Sequence, residues 1–257
     1  MSKLSIGVYG DSFASMNLDT EGSFSWIDQL RTIHDVTNYG ECGNSIYQCY
    51  RTYLKNHEFH DYNIFIIPAQ NRFYSEKLYH LLEDSHTIKN WFATIGSLDS
   101  ARINVEVGTS PSKLNKLKII QSVRIALLEW LDYEFLKEIN DLLIDKISND
   151  KNLILVNTNP TKNGVSLTAV SFRELEEVGY KEKYLDKGLY LNVVDNEKKL
   201  LLSDSRCNHL SEENNLIFGN ILLSAISNNY SGELELSHKD FVKPSKPLEH
   251  YLKWTSI

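Results

Sequence analysis

Short, nearly continuous apolar runs alternate with segments of helical periodicity in the first part of the chain. The apolar runs cover residues 3–9 and 62–68, and residues 35–39 are predicted to form a short second strand. Between them, residues 24–33 and 45–56 place apolar side chains three and four positions apart. A continuous apolar run is typical of a strand buried on both faces, whereas three-to-four spacing is typical of an amphipathic helix. The alternation predicts βαβ units and a parallel sheet.

The pattern changes in the middle of the chain. Residues 73–100 are predicted to form short helices, and residues 113–148 carry a long helical pattern without glycine or proline. Residues 153–157 predict a fourth strand, and residues 211–228 predict a last helix. The apolar positions that define the long helical pattern are Leu117, Ile120, Val123, Leu127, Leu131, Phe135, Ile139 and Leu142.

These elements predict one α/β domain over residues 1–228, with a central parallel sheet flanked by helices. Residues 73–150 are predicted to be a helical insertion, and the polar residues 229–257 a C-terminal extension. The chain has 257 residues, of which 42% are hydrophobic. This is enough for one large core and excludes wholesale disorder.

Charge and cysteine content narrow the class of protein further. The formal net charge is −7, which disfavours a broad nucleic-acid surface because such surfaces need clustered lysine and arginine. Three cysteines argue against a disulfide framework and for a reducing compartment. Neither a signal peptide nor a membrane-spanning run is visible. We therefore expect a cytoplasmic protein that binds neither nucleic acid nor membrane.

The strongest chemical signal is Gly10-Asp11-Ser12, directly after the first apolar run. A serine in this position lies at the carboxyl edge of the sheet, where α/β proteins bind ligands. Its hydroxyl becomes a nucleophile only when a neighbouring base takes its proton and when donors stabilise the oxyanion that forms. The alternative is that the tripeptide merely ends a strand, since all three residues are common in turns.

Three later residues follow in loops that supply the missing functions. Gly43 offers a backbone N–H in a loop where the absence of a side chain lets a ligand approach closely. Asn71 offers a side-chain amide after the second apolar run. His209 precedes the last helix and offers a general base.

Serine, glycine, asparagine and histidine in this order resemble the four sequence blocks of the SGNH, or GDSL-type, hydrolase family. The resemblance covers residues 3–71 and 200–228. It implies a three-layer flavodoxin-like fold and ester hydrolysis through a serine acyl-enzyme, without metal or other cofactor. It also implies that Ser12 is the nucleophile and His209 the base, and that the oxyanion hole is formed by Ser12, Gly43 and Asn71.

The chain departs from the family pattern at three positions. Ala69 and Arg72 flank the third block where the family usually has glycine and aspartate. Arg206 stands three residues before His209, where the family usually has an aspartate, and the nearest acid on the N-terminal side of His209 is Asp204, five residues before it. Two alternatives follow: Asp204 orients the imidazole in a triad, or a backbone carbonyl does so in a dyad.

The favoured hypothesis is a serine esterase that removes a small acyl group from a hydroxyl of a carbohydrate or another small polar molecule. Five aromatic residues favour a sugar as the substrate if their rings are exposed and stack on it. The alternative is that these rings belong to the hydrophobic core. One alternative is a non-catalytic scaffold that binds a protein partner through its insertion, and another is acyl transfer at the same site. The aromatic residues are Tyr47, Phe73, Tyr74, Trp91 and Phe92.

A metal site is not expected. Cys42 and Cys207 could approach His209 and imitate a metal cluster, but the chain has no C-x-x-C spacing. Small buried thiols are the better interpretation.

Overall fold

Strands and helices alternate along the chain as the apolar pattern predicts. The computed structural model describes residues 2–14, 24–41, 43–68, 72–74, 80, 94–95, 133–157, 210 and 212–236. The strands in these ranges are β1 (Ser5–Tyr9), β2 (Asp35–Asn38), β3 (Tyr62–Ile67), β4 (Phe73–Tyr74), β5 (Thr94–Ile95), β6 (Leu153–Asn157) and β7 (Gly232–Glu233). The α-helices are α1 (Trp26–Arg31), α2 (Ile46–Asn56), α3 (Tyr133–Ile147) and α4 (Glu212–Ser227), and a 3₁₀ turn covers His57–Phe59.

Five of these strands form one parallel sheet in the order β2-β1-β3-β6-β7. Ile6 of β1 lies opposite Val36 of β2 on one side and Tyr62 of β3 on the other. The chain therefore moves from β1 outward to β2 and then crosses back to β3. Such a reversal of strand order opens a crevice between the loops that follow β1 and β3, and ligands bind in crevices of this kind. The predicted α/β class and parallel sheet are confirmed.

Helices cover both faces of this sheet because the side chains of each strand alternate between them. In β3, Ile64 and Ile66 face α1 and α4, where they pack in one core cluster with Trp26 and Phe218. Phe65 and Ile67 face the other way and pack with residues of α2 and α3. A strand buried on both faces reads as an uninterrupted apolar run, which is why β1, β3 and β6 were predictable.

Capping boxes fix the starts of α1 and α2. Ser25 accepts a hydrogen bond from the Asp28 backbone at 3.2 Å, and Asp28 accepts one in return from the Ser25 backbone at 3.0 Å. Ser45 and Gln48 make the same reciprocal pair at the start of α2. Each N-cap stabilises its helix by about 1 kcal/mol. The second box also fixes where the loop after β2 must end.

Two short strand pairings differ from the sequence prediction. β4 and β5 pair antiparallel in a region predicted to form short helices. β7 lies in the segment predicted to be a polar extension, and it pairs with β6 through the register Ile154↔Gly232. Strands of two residues contain no alternation of apolar and polar side chains, so periodicity cannot reveal them.

The buried face of α3 also differs from the prediction. The predicted apolar stripe runs through Phe135, Ile139 and Leu142, but these side chains are exposed. Leu136 and Ile147 are buried instead. Apolar residues cover a wide arc of this helix, so its periodicity allows more than one buried stripe, and contact with α2 and the sheet selects one of them. The first part of the predicted long helix, residues 113–132, lies outside the described residues.

Candidate active site

The Ser12 turn begins directly after β1. The backbone N–H of Ala14 donates to the carbonyl of Asp11 at 3.0 Å, and this bond closes the turn around Ser12. The carboxylate of Asp11 accepts a second bond from the N–H of Phe13 at 3.1 Å. This is the local side-chain turn that aspartate favours. Ser12 is only 9% exposed, so the turn holds a largely buried hydroxyl at the carboxyl edge of the sheet.

Gly10 lets this turn fold back onto the sheet. A Cβ atom at Gly10 would lie 2.8 Å from Cβ of Ile66 and 2.9 Å from Cβ of Ala14. Both distances are shorter than real carbon contacts, so a larger residue would push the turn away from β3. The glycine of the Gly-Asp-Ser motif is therefore required by packing.

A buried ion pair connects the Ser12 turn to the segment that follows β3. Nη1 of Arg72 lies 2.5 Å from Oδ2 of Asp11, whose side chain is 2% exposed. The same guanidinium nitrogen donates to the carbonyl of Asn44 at 3.1 Å. A buried carboxylate requires a partner because transfer of an isolated charge out of water is very costly. Arg72 thus joins the loops after β1, β2 and β3.

The loop between β2 and α2 brings Gly43 to the same edge. Gly43 has φ of 83°, in the left-handed region that favours glycine. The carbonyl of Gly10 accepts a hydrogen bond from the N–H of Glu41 at 3.2 Å and another from Nδ2 of Asn44 at 3.1 Å. The residues on either side of Gly43 are therefore attached to the end of β1, just before Ser12.

Asn38 and Gly40 hold the loop after β2 in contact with the Ser12 turn. Nδ2 of Asn38 donates to the carbonyl of Ala14 at 2.6 Å, and Oδ1 of Asn38 accepts from the N–H of Gly40 at 2.8 Å. A Cβ atom at Gly40 would lie 2.5 Å from Cβ of Ala14. In the Asn38-x-Gly-x-x-Gly segment, the asparagine and the first glycine therefore shape the loop that carries Gly43.

A chain of hydrogen bonds leads from the Ser12 turn to the start of α4. The indole N–H of Trp26 donates to the carbonyl of Phe13 at 2.8 Å. The backbone N–H of Trp26 donates to Oδ1 of Asn215 at 3.3 Å. Nδ2 of Asn215 in turn donates to the carbonyl of Leu210 at 3.0 Å. Leu210 is buried in the core cluster against which Phe13 packs.

Two of the predicted site residues, Ser12 and Gly43, belong to the part of the chain that the structure describes. Ser12 and Gly43 lie on adjoining loops at one edge of the sheet. Asn71, His209 and Asp204 lie outside the described residues, and their roles stay predictions. Sequence analysis missed the role of Arg72 and treated it only as a departure from a family block. The requirement for Arg72 follows only from the burial of Asp11 in the structure, since a buried carboxylate requires a counter-charge.

The thiol of Cys49 is buried close to this site. Burial raises the pKa of Cys49 well above its usual value, and the negative charge of Asp11 raises it further. Cys49 therefore stays a protonated thiol, which is a poor nucleophile. Within the ranges that the structure describes, no three His, Cys, Asp or Glu residues are grouped as metal ligands. Cys42 and Cys207 lie outside those ranges.

A polar cleft of about 460 Å³ opens beside the Ser12 turn. One wall is the loop of residues 38–41, and the other is the side of α2. Tyr74 of β4 also lines the cleft, whereas Ser12 does not. Asn44 belongs both to the cleft and to the contacts of Arg72 described above. The cleft therefore lies next to the Ser12 turn, and Asn44 connects the two.

Comparison of the sequence with protein-family models and with curated proteins returns no match. Among the helices in the described part of the chain, none combines the length and the apolar character needed to cross a membrane.

Proposed function

We propose that this protein is a serine ester hydrolase of the SGNH type, with the three-layer flavodoxin-like fold of that family. It removes a small acyl group from a hydroxyl of a polar, carbohydrate-like substrate. The observation that carries the proposal is the hydrogen-bond chain from Phe13 to Leu210. Phe13 directly follows Ser12, and Leu210 directly follows His209. These hydrogen bonds therefore support the proposal that Ser12 and His209 lie close together.

The strand order gives independent support. Ser12 follows β1 and Arg72 follows β3, so they flank the crevice at which parallel sheets bind ligands. Gly43 lies on the next loop along the same edge. A nucleophile and its oxyanion donors must occupy such adjoining loops if both are to reach one ester carbonyl.

In the proposed mechanism, His209 takes the proton of Ser12 while Oγ of Ser12 attacks the ester carbonyl. The backbone N–H groups of Ser12 and Gly43 and the side-chain amide of Asn71 stabilise the tetrahedral oxyanion. When the intermediate collapses, the C–O bond breaks and His209 protonates the departing alcohol. Water, activated by the same imidazole, then releases the acid and restores the Ser12 hydroxyl.

Asp11 is not the base of this mechanism, although it is the acid closest to Ser12 in sequence. One of its oxygens accepts from the Phe13 N–H, and the other accepts from Arg72. With both oxygens engaged in buried contacts, the carboxylate shapes the turn and does not exchange protons with a substrate. The general base must therefore come from another loop, and His209 is the candidate.

A fluorophosphonate probe tests the proposal, since such probes label only activated serines. We expect mass spectrometry of the labelled protein to place the adduct on Ser12, and p-nitrophenyl acetate to be hydrolysed. Ser224→Ala, at an exposed position of α4, is the matched control and should be labelled like the wild type. A folded protein that neither reacts with the probe nor hydrolyses the ester would refute the proposal. An added alcohol acceptor in the same assay separates hydrolysis from acyl transfer.

Asp204→Asn tests the choice between a triad and a dyad. If Asp204 orients His209, its carboxylate stabilises the imidazolium that forms during attack. We expect a loss of kcat/KM of roughly 10⁴-fold, as for the corresponding change in a serine protease. The measurement is steady-state hydrolysis of p-nitrophenyl acetate. A rate within a few-fold of wild type would remove Asp204 from the site and leave Ser12 and His209 as a dyad.

A further inference from the structure

We propose that the cleft beside the Ser12 turn binds an anionic group of the substrate, a carboxylate or a phosphate, through Arg51 and Lys55. Both side chains line the cleft. The inference rests on the proposed function in one respect, because it assigns the ligand to the reaction at Ser12. Binding of the anionic group is itself a property of the cleft and can be measured without turnover.

The wall formed by α2 carries only positive charge. Arg51 and Lys55 are the only charged residues in the eleven residues of this helix. They are four positions apart, so they lie on one side of the helix, where both reach the cleft. The whole chain has a formal net charge of −7. In an acidic protein, a local pair of cations in a cleft attracts an anion to that one place.

The guanidinium of Arg51 is held by an aromatic ring. Its central carbon lies 5.7 Å from the ring centroid of Tyr47, one turn earlier in α2. At an exposed position such a cation–π contact is weak but favours this conformation of the side chain. A guanidinium recognises a carboxylate or a phosphate through two parallel hydrogen bonds.

The loop of residues 38–41 adds one negative charge to the lining of the cleft. Glu41 belongs to this loop, and its backbone N–H donates to the carbonyl of Gly10, next to the Ser12 turn. An anionic ligand group is repelled by Glu41 and attracted by Arg51 and Lys55. We therefore expect the anionic group to lie against α2 and the uncharged acylated part to lie against the loop, which contacts the Ser12 turn.

The rest of the lining suits a hydroxylated ligand of about the size of a monosaccharide. Thr52 offers a hydroxyl, and Tyr39 offers a ring. The Tyr39 ring stacks on Tyr9 with centroids 5.1 Å apart, and its hydroxyl lies 3.1 Å from Nε2 of His60. A ring held in this way contacts a sugar without further loss of side-chain freedom.

Isothermal titration calorimetry at low salt with three sugars tests the inference. D-glucose, D-glucuronate and D-glucose 6-phosphate differ only at carbon 6, which carries a hydroxymethyl, a carboxylate or a phosphate ester. We expect the two anionic sugars to bind more tightly than glucose, and their affinity to fall as salt is raised. The comparison of carboxylate with phosphate identifies which of the two anions the cleft prefers.

The variant Arg51→Gln/Lys55→Gln should weaken binding of the preferred anionic sugar by roughly 10- to 100-fold, since it removes charge-assisted hydrogen bonds. The control Lys137→Gln/Lys146→Gln removes two charges from exposed positions of α3. This control should bind the sugar like the wild type. Its net charge changes by the same amount as in the Arg51/Lys55 variant, but the residues that line the cleft are unchanged. Thermal unfolding of both variants verifies that they fold.

Three results would overturn the inference: equal affinity for glucose and the anionic sugars, equal losses in the two double variants, or no binding of any sugar at millimolar concentration. Fluorophosphonate labelling of wild-type Ser12 requires no anionic ligand. Failure of the anion site and failure of the proposed hydrolase mechanism are therefore separate outcomes.

Discussion

Ser12→Ala is expected to reduce hydrolysis of p-nitrophenyl acetate by roughly 10⁴- to 10⁶-fold, the range for removal of a serine nucleophile that acts with a base. Fluorophosphonate labelling should vanish with it. The hydroxyl is a small part of the turn, which is held by backbone bonds and by Asp11, so the free energy of unfolding should change little. The measurements are steady-state kinetics and urea unfolding of the same preparations.

His209→Ala should cause a loss of similar size, and the double variant should be little worse than either single variant. Residues that perform one proton transfer together are not additive, because removal of either ends the cooperation. If instead the two losses multiply, Ser12 and His209 do not act on the same step. If Ser12→Ala keeps most of the wild-type rate, the serine mechanism itself is wrong.

Arg72→Met is expected to lower the free energy of unfolding by roughly 3 kcal/mol. The variant leaves the Asp11 carboxylate buried without its cation, and removal of one partner from a buried pair costs about 3–5 kcal/mol. The lower end of this range applies because the Arg72 side chain is itself 26% exposed. Urea unfolding measures the loss, and the Ser12 labelling rate should fall because the turn loses its anchor.

A double-mutant cycle tests this explanation. Asp11→Asn in the Arg72→Met background removes the stranded charge but keeps an oxygen that can accept from Phe13. The double variant should therefore be more stable than Arg72→Met alone. Strictly additive losses would show that the two side chains stabilise the protein independently, and would contradict the role assigned to the pair.

Arg31→Met provides the matched control. Arg31 also forms an ion pair, with Asp28 at 3.2 Å, but both side chains are about one third exposed. Pairs of this kind contribute less than about 1 kcal/mol. The contrast between the two arginines therefore measures the effect of burial on otherwise similar contacts.

The sheet could be predicted from sequence where burial imposes a uniform pattern. β1, β3 and β6 are covered on both faces, so nearly every residue in them is apolar. Ser45 could be recognised as a helix start because its hydroxyl has a local function. The exposed stripe of α3 could not be excluded, because the choice of its buried face depends on α2 and on the sheet, which are distant in sequence.

The candidate site was predictable only at the residues that belong to a contiguous motif. Ser12 follows a recognisable strand, and Gly43 lies in a loop that must turn sharply. The roles of Arg72 and Asn215 depend on contacts with residues 61 positions away in one case and 189 in the other. No local pattern reveals such partners, although the buried charge of Asp11 shows that one must exist.

Among the strands that the structure describes, β2 and β7 form the two borders of the parallel sheet, and these borders bear on how copies of this protein behave toward one another. An unpaired strand edge is a template for a strand of a second molecule, which leads to aggregation. β2 has only four residues and carries an ion pair of 2.5 Å between Lys3 and Asp35, and β7 has only two residues. Both borders are therefore short, and one is charged. The sheet offers few backbone groups to a neighbouring molecule, so these borders resist strand-to-strand aggregation.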